Sequence, residues 1–143
     1  MYAASMFTPR RAMPNRAAAF QATALEIQVA GADAHRLVTL LFEGFAHAAA
    51  EAQGALASGD TERKCASLTR AIRIVDEGLR SHLNVEAGGN LARDLAELYG
   101  YVVQRLSLAN ARNEAEIVAE CVRLMQPLHD AWLSIGHTNH ASR

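Results

Sequence analysis

Six histidines and two cysteines are the residues of this 143-residue chain best suited to metal or nucleophilic chemistry, and their spacing argues against both. His35, His47, His82 and His129 are scattered along segments of helical periodicity without a Glu-x-x-His pair, and only His137 and His140 are close neighbours, in a polar stretch near the end. A metal site needs converging ligands held by further hydrogen bonds, so surface or core histidines are expected, and no metal or cofactor. Cys65 and Cys121 are far apart and lack a second Cys or His at ligand spacing. Each falls on an apolar stripe, where a thiol behaves as a small hydrophobe, so neither a disulfide nor a zinc site is predicted and a reducing compartment fits. Gly88-Gly89-Asn90 follows no strand and lacks the Gly-x-x-x-x-Gly-Lys pattern that cradles phosphate. With no catalytic constellation, the chain is not expected to be an enzyme.

The elements that carry these residues are predicted to be helices. Half the residues are hydrophobic, alanine supplies many of them, and there are only three prolines; alanine loses no side-chain entropy in a helix. The length suits one domain with one core. Fourteen Lys and Arg stand against fifteen Asp and Glu, for a net charge of −1, so the one-signed field of a nucleic-acid binder is missing. No apolar run of about 18 residues is present and the N-terminus lacks the apolar core of a secretory signal, which predicts a cytosolic protein without stable membrane insertion.

Four stripes define the helices. After a break at Gly31-Ala32-Asp33 come Leu37, Leu40, Leu41, Phe45, Ala48, Ala52 and Leu56 at three- and four-residue steps. Ser58-Gly59-Asp60 then supplies a glycine stop and an aspartate N-cap. The second stripe is Cys65, Leu68, Ile72, Val75, Leu79 and His82, the spacing of packed bundle helices. Residues Asn84 to Asn90 are predicted as a loop, with Asn90 capping a third helix through Leu91, Leu95, Leu98, Val102, Leu106 and Ala109. Asn113 with Glu116 resembles a capping box for a fourth, with Ile117, Cys121, Leu124, Leu128, Trp132 and Ile135. Pro127 should kink it near Arg123 to Pro127, and Gly136 should end it.

The short connections allow only antiparallel neighbours, which predicts an all-α antiparallel four-helix bundle over 31–136. An N-terminal arm, 1–30, precedes it and a polar tail, 137–143, follows. The arm contains Arg10, Arg11 and Arg16 and no acid before Glu26, superficially like a transit peptide. Pro9 and Pro14 favour a loosely held arm instead, with a short helix near Arg16 to Val29 that forms only when docked.

One apolar stripe per helix is enough for a bundle, yet further large residues flank these stripes: Val38, Phe42, Ile74, Tyr99, Tyr101, Val103, Leu108, Val118, Val122, Met125 and Leu133. Either they thicken one core beneath the arm, or they line a groove for a partner helix.

Three blocks of residues resemble the flagellar secretion chaperones of the FliS type. The first is Met1-Tyr2; the second is Asp33-Ala34-His35-Arg36-Leu37-Val38-Thr39-Leu40-Leu41-Phe42-Glu43-Gly44. The third runs Leu83-Asn84-Val85-Glu86-Ala87-Gly88-Gly89, then Leu98-Tyr99-Gly100-Tyr101, Leu106, Ala109-Asn110 and Ala131-Trp132. The likeness spans about Phe20 to Ile135 with spacings kept. It departs where the family commonly has a second tyrosine in the arm, here Phe20, and where an acid commonly separates the paired tyrosines, here Gly100.

The resemblance implies an antiparallel bundle that binds the C-terminal segment of flagellin in the bacterial cytosol, keeps it from polymerising and presents it to the export apparatus, without nucleotide. The residues expected to line the client groove are Tyr2, Phe20, Leu37, Leu41, Phe45, Ile74, Tyr99, Tyr101, Leu108 and Trp132. The alternative is a regulatory or adaptor bundle for another protein, such as an anti-sigma factor or an export-gate component. A homodimer is compatible with either reading. A cofactor-binding bundle would need inward Glu and His pairs at i, i+3, which the stripes lack.

Overall fold

The computed structural model describes residues 34–141, and among them it contains four helices and no strand. Helix α1 is Ala34–Ser58, α2 is Thr61–Arg73 with its continuation to His82, α3 is Val85–Arg112 and α4 is Ala115–Ala141. The predicted all-α bundle is what forms.

Local chemistry explains most boundaries. Gly59 takes φ +73, a left-handed conformation that glycine adopts without steric cost. Its N–H reaches Leu56 O and the next N–H, of Asp60, reaches Ala55 O at 2.9 Å, which closes α1 with a Schellman turn. Asp60 then accepts a hydrogen bond from Arg63 N at 3.1 Å and starts α2.

Contacts between helices give the direction of each. Leu41 lies against Gly78, Gly44 against Ile74 and Glu51 near Arg70, so the numbers rise on α1 as they fall on α2. Lys64 meets Asn110 and Asn113, and Arg80 lies near Gly100, which sets α2 against α3. Tyr101 and Arg105 meet Glu120 across α3 and α4. The two-residue connection Asn113-Glu114 turns α4 back along α3, so every sequential pair is antiparallel. Between them, α1 contributes Ala48, Ala49, Ala52 and Ala55, all fully buried, and these small side chains let larger ones from the other helices, Leu68, Val75, Val102, Leu106 and Val118, fill the centre.

The structure corrects several sequence expectations. The second stripe loses its phase: after Arg73 the backbone widens into a π-helical turn, Ile74–Leu79, then tightens into a 3₁₀ turn, Arg80–His82. A wide turn delays the register, so His82 is exposed and Leu83 packs on the core in its place. The predicted loop at Asn84 to Asn90 is already helix. Asn84 caps it by accepting from Ala87 N at 3.0 Å, and the interruption is one residue, Gly89, at φ 61 and ψ −137. Asn90 hydrogen-bonds the Arg93 guanidinium. Asn113 proves to be an end and not a beginning, for it adopts φ 56 and ψ 45 and closes α3.

The expected stop at Gly136 does not operate, since α4 continues to Ala141. A glycine weakens a helix by only about 1 kcal/mol, and no proline follows. At Pro127 α4 is unbroken, and Leu124 and Leu128 on either side both pack on the core. Three stripe positions other than His82 are also exposed. Leu40 is exposed because Leu41 beside it takes the inward direction. Leu91, just beyond the Gly89 break, is 69 % exposed, and Ile135, beyond Trp132, is 51 % exposed.

Candidate functional site

The flanking hydrophobics mostly go inward. Phe42, Tyr99, Val118 and Met125 are buried in the core, while Val38, Ile74, Val103, Leu108 and Val122 are half-buried against it. Only Tyr101 and Leu133 of that set are exposed. The reason is geometric: a helix with neighbours on two sides buries a wider arc than one seam requires.

The ten residues expected to line a groove therefore divide. Tyr2 and Phe20 lie outside the described residues. Leu37 is buried, and Leu41, Phe45 and Tyr99 are part of the core cluster. Ile74, Leu108 and Trp132 pack on that cluster with one side open, and Tyr101 is 43 % exposed.

Tyr101 is also the centre of a polar cluster that the sequence did not reveal. Its hydroxyl donates to Glu120 Oε2 at 2.7 Å, Arg105 Nε donates to Glu120 Oε1 at 2.9 Å, and the guanidinium stands 5.9 Å from the Tyr101 ring centroid. The hydroxyl, then the guanidinium, hold the Glu120 carboxyl below its usual range. In return the bond to Glu120 raises the Tyr101 hydroxyl above the ordinary phenol value and keeps Arg105 more firmly charged. Tyrosine and arginine are the residues most often found to dominate protein interfaces, because each presents a large, stiff surface with a polar end. The signal for the cluster lay in a 15- and a 19-residue separation across a helix turn, which no local pattern carries.

Two concavities mark the surface of the described residues. One is a shallow slot of about 10 Å³ in the seam of α1 and α4, lined by Phe42, Phe45, Ala46, Val122, Met125, Gln126 and His129. The other, about 370 Å³ and wide open, lies at the α2–α3 joint among Leu83, Ala87, Gly88, Leu91, Ala92 and Leu95. Both are mainly apolar, and neither presents a nucleophile beside a base. Burial pushes the Cys121 thiol up to about 12, which leaves it protonated and inert. Among the described residues no three His, Cys, Asp or Glu converge to hold a metal ion, and no helix is long and apolar enough to cross a membrane.

Comparison with known proteins gives the family. The model of the family described as flagellar protein FliS matches residues 16–139. The chain belongs to the FliS family. It is 38 % identical over 118 residues to the flagellar secretion chaperone FliS of Salmonella typhimurium, covering 82 % of this chain and 87 % of that one. It is 37 % identical over 114 residues to the FliS of Escherichia coli, covering 80 % and 84 %, and 36 % identical over 118 residues to FliSB of Pseudomonas aeruginosa, covering 82 % and 93 %. FliS is a family of chaperones and not of enzymes. The blocks that carry the FliS likeness fall at working places in the fold. Leu83 to Gly89 builds the α2–α3 joint, and the paired tyrosines of α3 send one ring, Tyr99, into the core and leave the other, Tyr101, at the surface.

Proposed function

We propose that this FliS chain is an export chaperone that works in the bacterial cytosol, binds the C-terminal segment of flagellin, keeps that segment from polymerising and delivers it to the flagellar export apparatus. The observation that carries this reading is membership of a secretion-chaperone family over most of the chain. The half-buried apolar side chains and the exposed Tyr101 ring support it, since apolar surface of this kind suits an amphipathic segment that would otherwise assemble with its own kind. Covering about 600 Å² of apolar surface supplies roughly 15 kcal/mol gross, enough to offset the ordering of a disordered client. No catalysis and no cofactor is part of this function.

The test is gel filtration with calorimetry on this protein and the C-terminal segment of flagellin from the same organism. A one-to-one complex is expected, with a gain in helical circular dichroism as the client orders. Absence of a complex, or equally good binding to flagellin truncated before that segment, would overturn the reading and leave the adaptor role, for an anti-sigma factor or an export-gate component, as the alternative.

A further inference from the structure

Within α3, Gly89 leaves the helical region, at φ 61 and ψ −137, and cuts off the turn 85–88 from the rest of the helix. A Cβ at Gly89 would meet nothing within 4 Å, so the glycine answers a need of the backbone and not of packing. On its other side the turn is set off from α2 by two extended residues, Leu83 at φ −81 and ψ 132 and Asn84 at φ −104 and ψ 93. Two hydrogen bonds tie it: Gly88 N donates to Asn84 O at 2.7 Å and Ala87 N to Asn84 Oδ1 at 3.0 Å. Glu86, Ala87 and Gly88 are all exposed. The turn folds back on Ala92, because a Cβ at Gly88 would stand 2.6 Å from Ala92 Cβ, where an unbroken helix keeps such a pair about 5–6 Å apart. Beneath it Ala92 is 5 % exposed.

A single helical turn is marginal by itself, since it fixes several residues for few hydrogen bonds, and a segment with little burial opens at low free energy. A second cap stands ready just past the break. Asn90 Oδ1 accepts from the guanidinium of Arg93, three residues on, and the Arg93 N–H is the group that an N-cap oxygen at Asn90 takes. We infer that residues 84–89 are a strap that opens as a unit while the bundle stays folded. On opening, the Asn84 cap is released, and Asn90 Oδ1 passes from the Arg93 guanidinium to the Arg93 N–H and caps the remainder of α3. The two caps belong to alternative states of one helix end. Closed, the strap covers Ala92; open, it adds Ala92 to the apolar wall that Leu91 and Leu95 form in the concavity at the joint. The strap thus sets how much of that wall is uncovered.

The experiment is amide hydrogen exchange by NMR on the full chain without client, using magnetisation transfer from water for the fastest amides. In wild type the Ala87 and Gly88 amides should exchange at least about a hundredfold faster than those of Val102 and Leu106, at rates that low denaturant leaves unchanged, as local opening requires. Asn84→Ala removes the cap of the closed state and should speed both amides about fivefold. Asn90→Ala removes the cap of the open state and should slow them about fivefold, the opposite sign, although both variants delete an asparagine from the same helix end. Asn90→Ser keeps a capping oxygen and should stay within about twofold of wild type. Turn amides that exchange only with global unfolding would overturn the strap. So would an Asn90→Ala variant whose turn exchanges at the wild-type rate or faster. If Asn90→Ser slows exchange as much as Asn90→Ala, the second cap does not form and the inference fails.

Discussion

Lys64 Nζ donates to Asn113 Oδ1 at 2.7 Å and to Asn110 O at 2.9 Å, so a buried ammonium from the first turn of α2 closes the last turn of α3. A cation at a helix C-terminus meets the negative end of the helix dipole and the unpaired carbonyls there. Lys64 is only 5 % exposed, and it spans a separation of 49 residues to reach Asn113. Replacing it with methionine, which keeps the length and removes the donors, should destabilise the protein by about 1–3 kcal/mol, because both acceptors lose their partner. Thermal melts of Lys64→Met, Asn113→Ala and the double variant check this. The two changes should be clearly less than additive, and additivity would show that the contact contributes nothing.

Gly78 determines how closely α1 and α2 approach. A Cβ placed there would stand 2.8 Å from Leu41 Cδ2, and Leu41 is itself fully packed in the core. Gly78→Ala should therefore cost about 1–3 kcal/mol as an overpacked site, despite the better helix propensity of alanine. Combining it with Leu41→Ala should cost less than the sum of the two, because the smaller side chain makes room for the added methyl. Chemical denaturation of the three variants measures the difference.

The Tyr101–Glu120–Arg105 cluster predicts an acid limb in the stability profile. The folded-state pKa of Glu120 is depressed, so its contribution is present above the unfolded value, near pH 4.3, and is lost as pH falls through the lower folded value. The Tyr101 hydroxyl is shifted the other way, so its contribution is complete below about pH 10 and fades as pH rises further. Melting temperatures of wild type and Glu120→Gln should differ around neutral pH and converge below about pH 4. A constant difference across that range would show that Glu120 does not sense its two partners.

The two cysteines should be distinguishable by a thiol reagent. Cys121 is fully buried with its pKa pushed up to about 12, so it should react only when the protein opens. Cys65 is half-buried, with its Sγ 3.6 Å from Asn110 Oδ1, and should react faster in the native state. Mass spectrometry after timed labelling should find modification at Cys65 first, then at both once denaturant is added. Equal native rates would contradict the packing around Cys121.

Much of the fold was legible because helical order is local. The i, i+3 and i+4 steps of Phe45, Ala48 and Ala52, or of Val102, Leu106 and Ala109, identify a helix and its inner side without reference to any other segment, and those residues are all buried. Gly59 and Asp60 announce their turn for the same reason, since left-handed freedom and an N-cap oxygen act within a few residues. The likeness to FliS rested on residues in sequence order and held over residues 16–139.

What lay hidden depends on partners distant in the chain. Asn113 is an N-cap or a C-cap according to the backbone handedness it adopts, and it ends α3 in the left-handed region with Lys64 bonded to its side chain. The π turn at Ile74–Leu79 passes through the place where Gly78 lies against Leu41, and it gives the core position expected of His82 to Leu83. Tyr99 and Tyr101 are alike in sequence, two positions apart, and the helix packed against α3 makes one core and the other surface. The sequence by itself determined that there are four helical segments, though not where each begins and ends, and to which family the chain belongs, because those depend on short-range periodicity and residue order. Only the tertiary structure decided which apolar residues remain outside, because burial belongs to a pair of packed surfaces, and each surface is complete only when the other is in place.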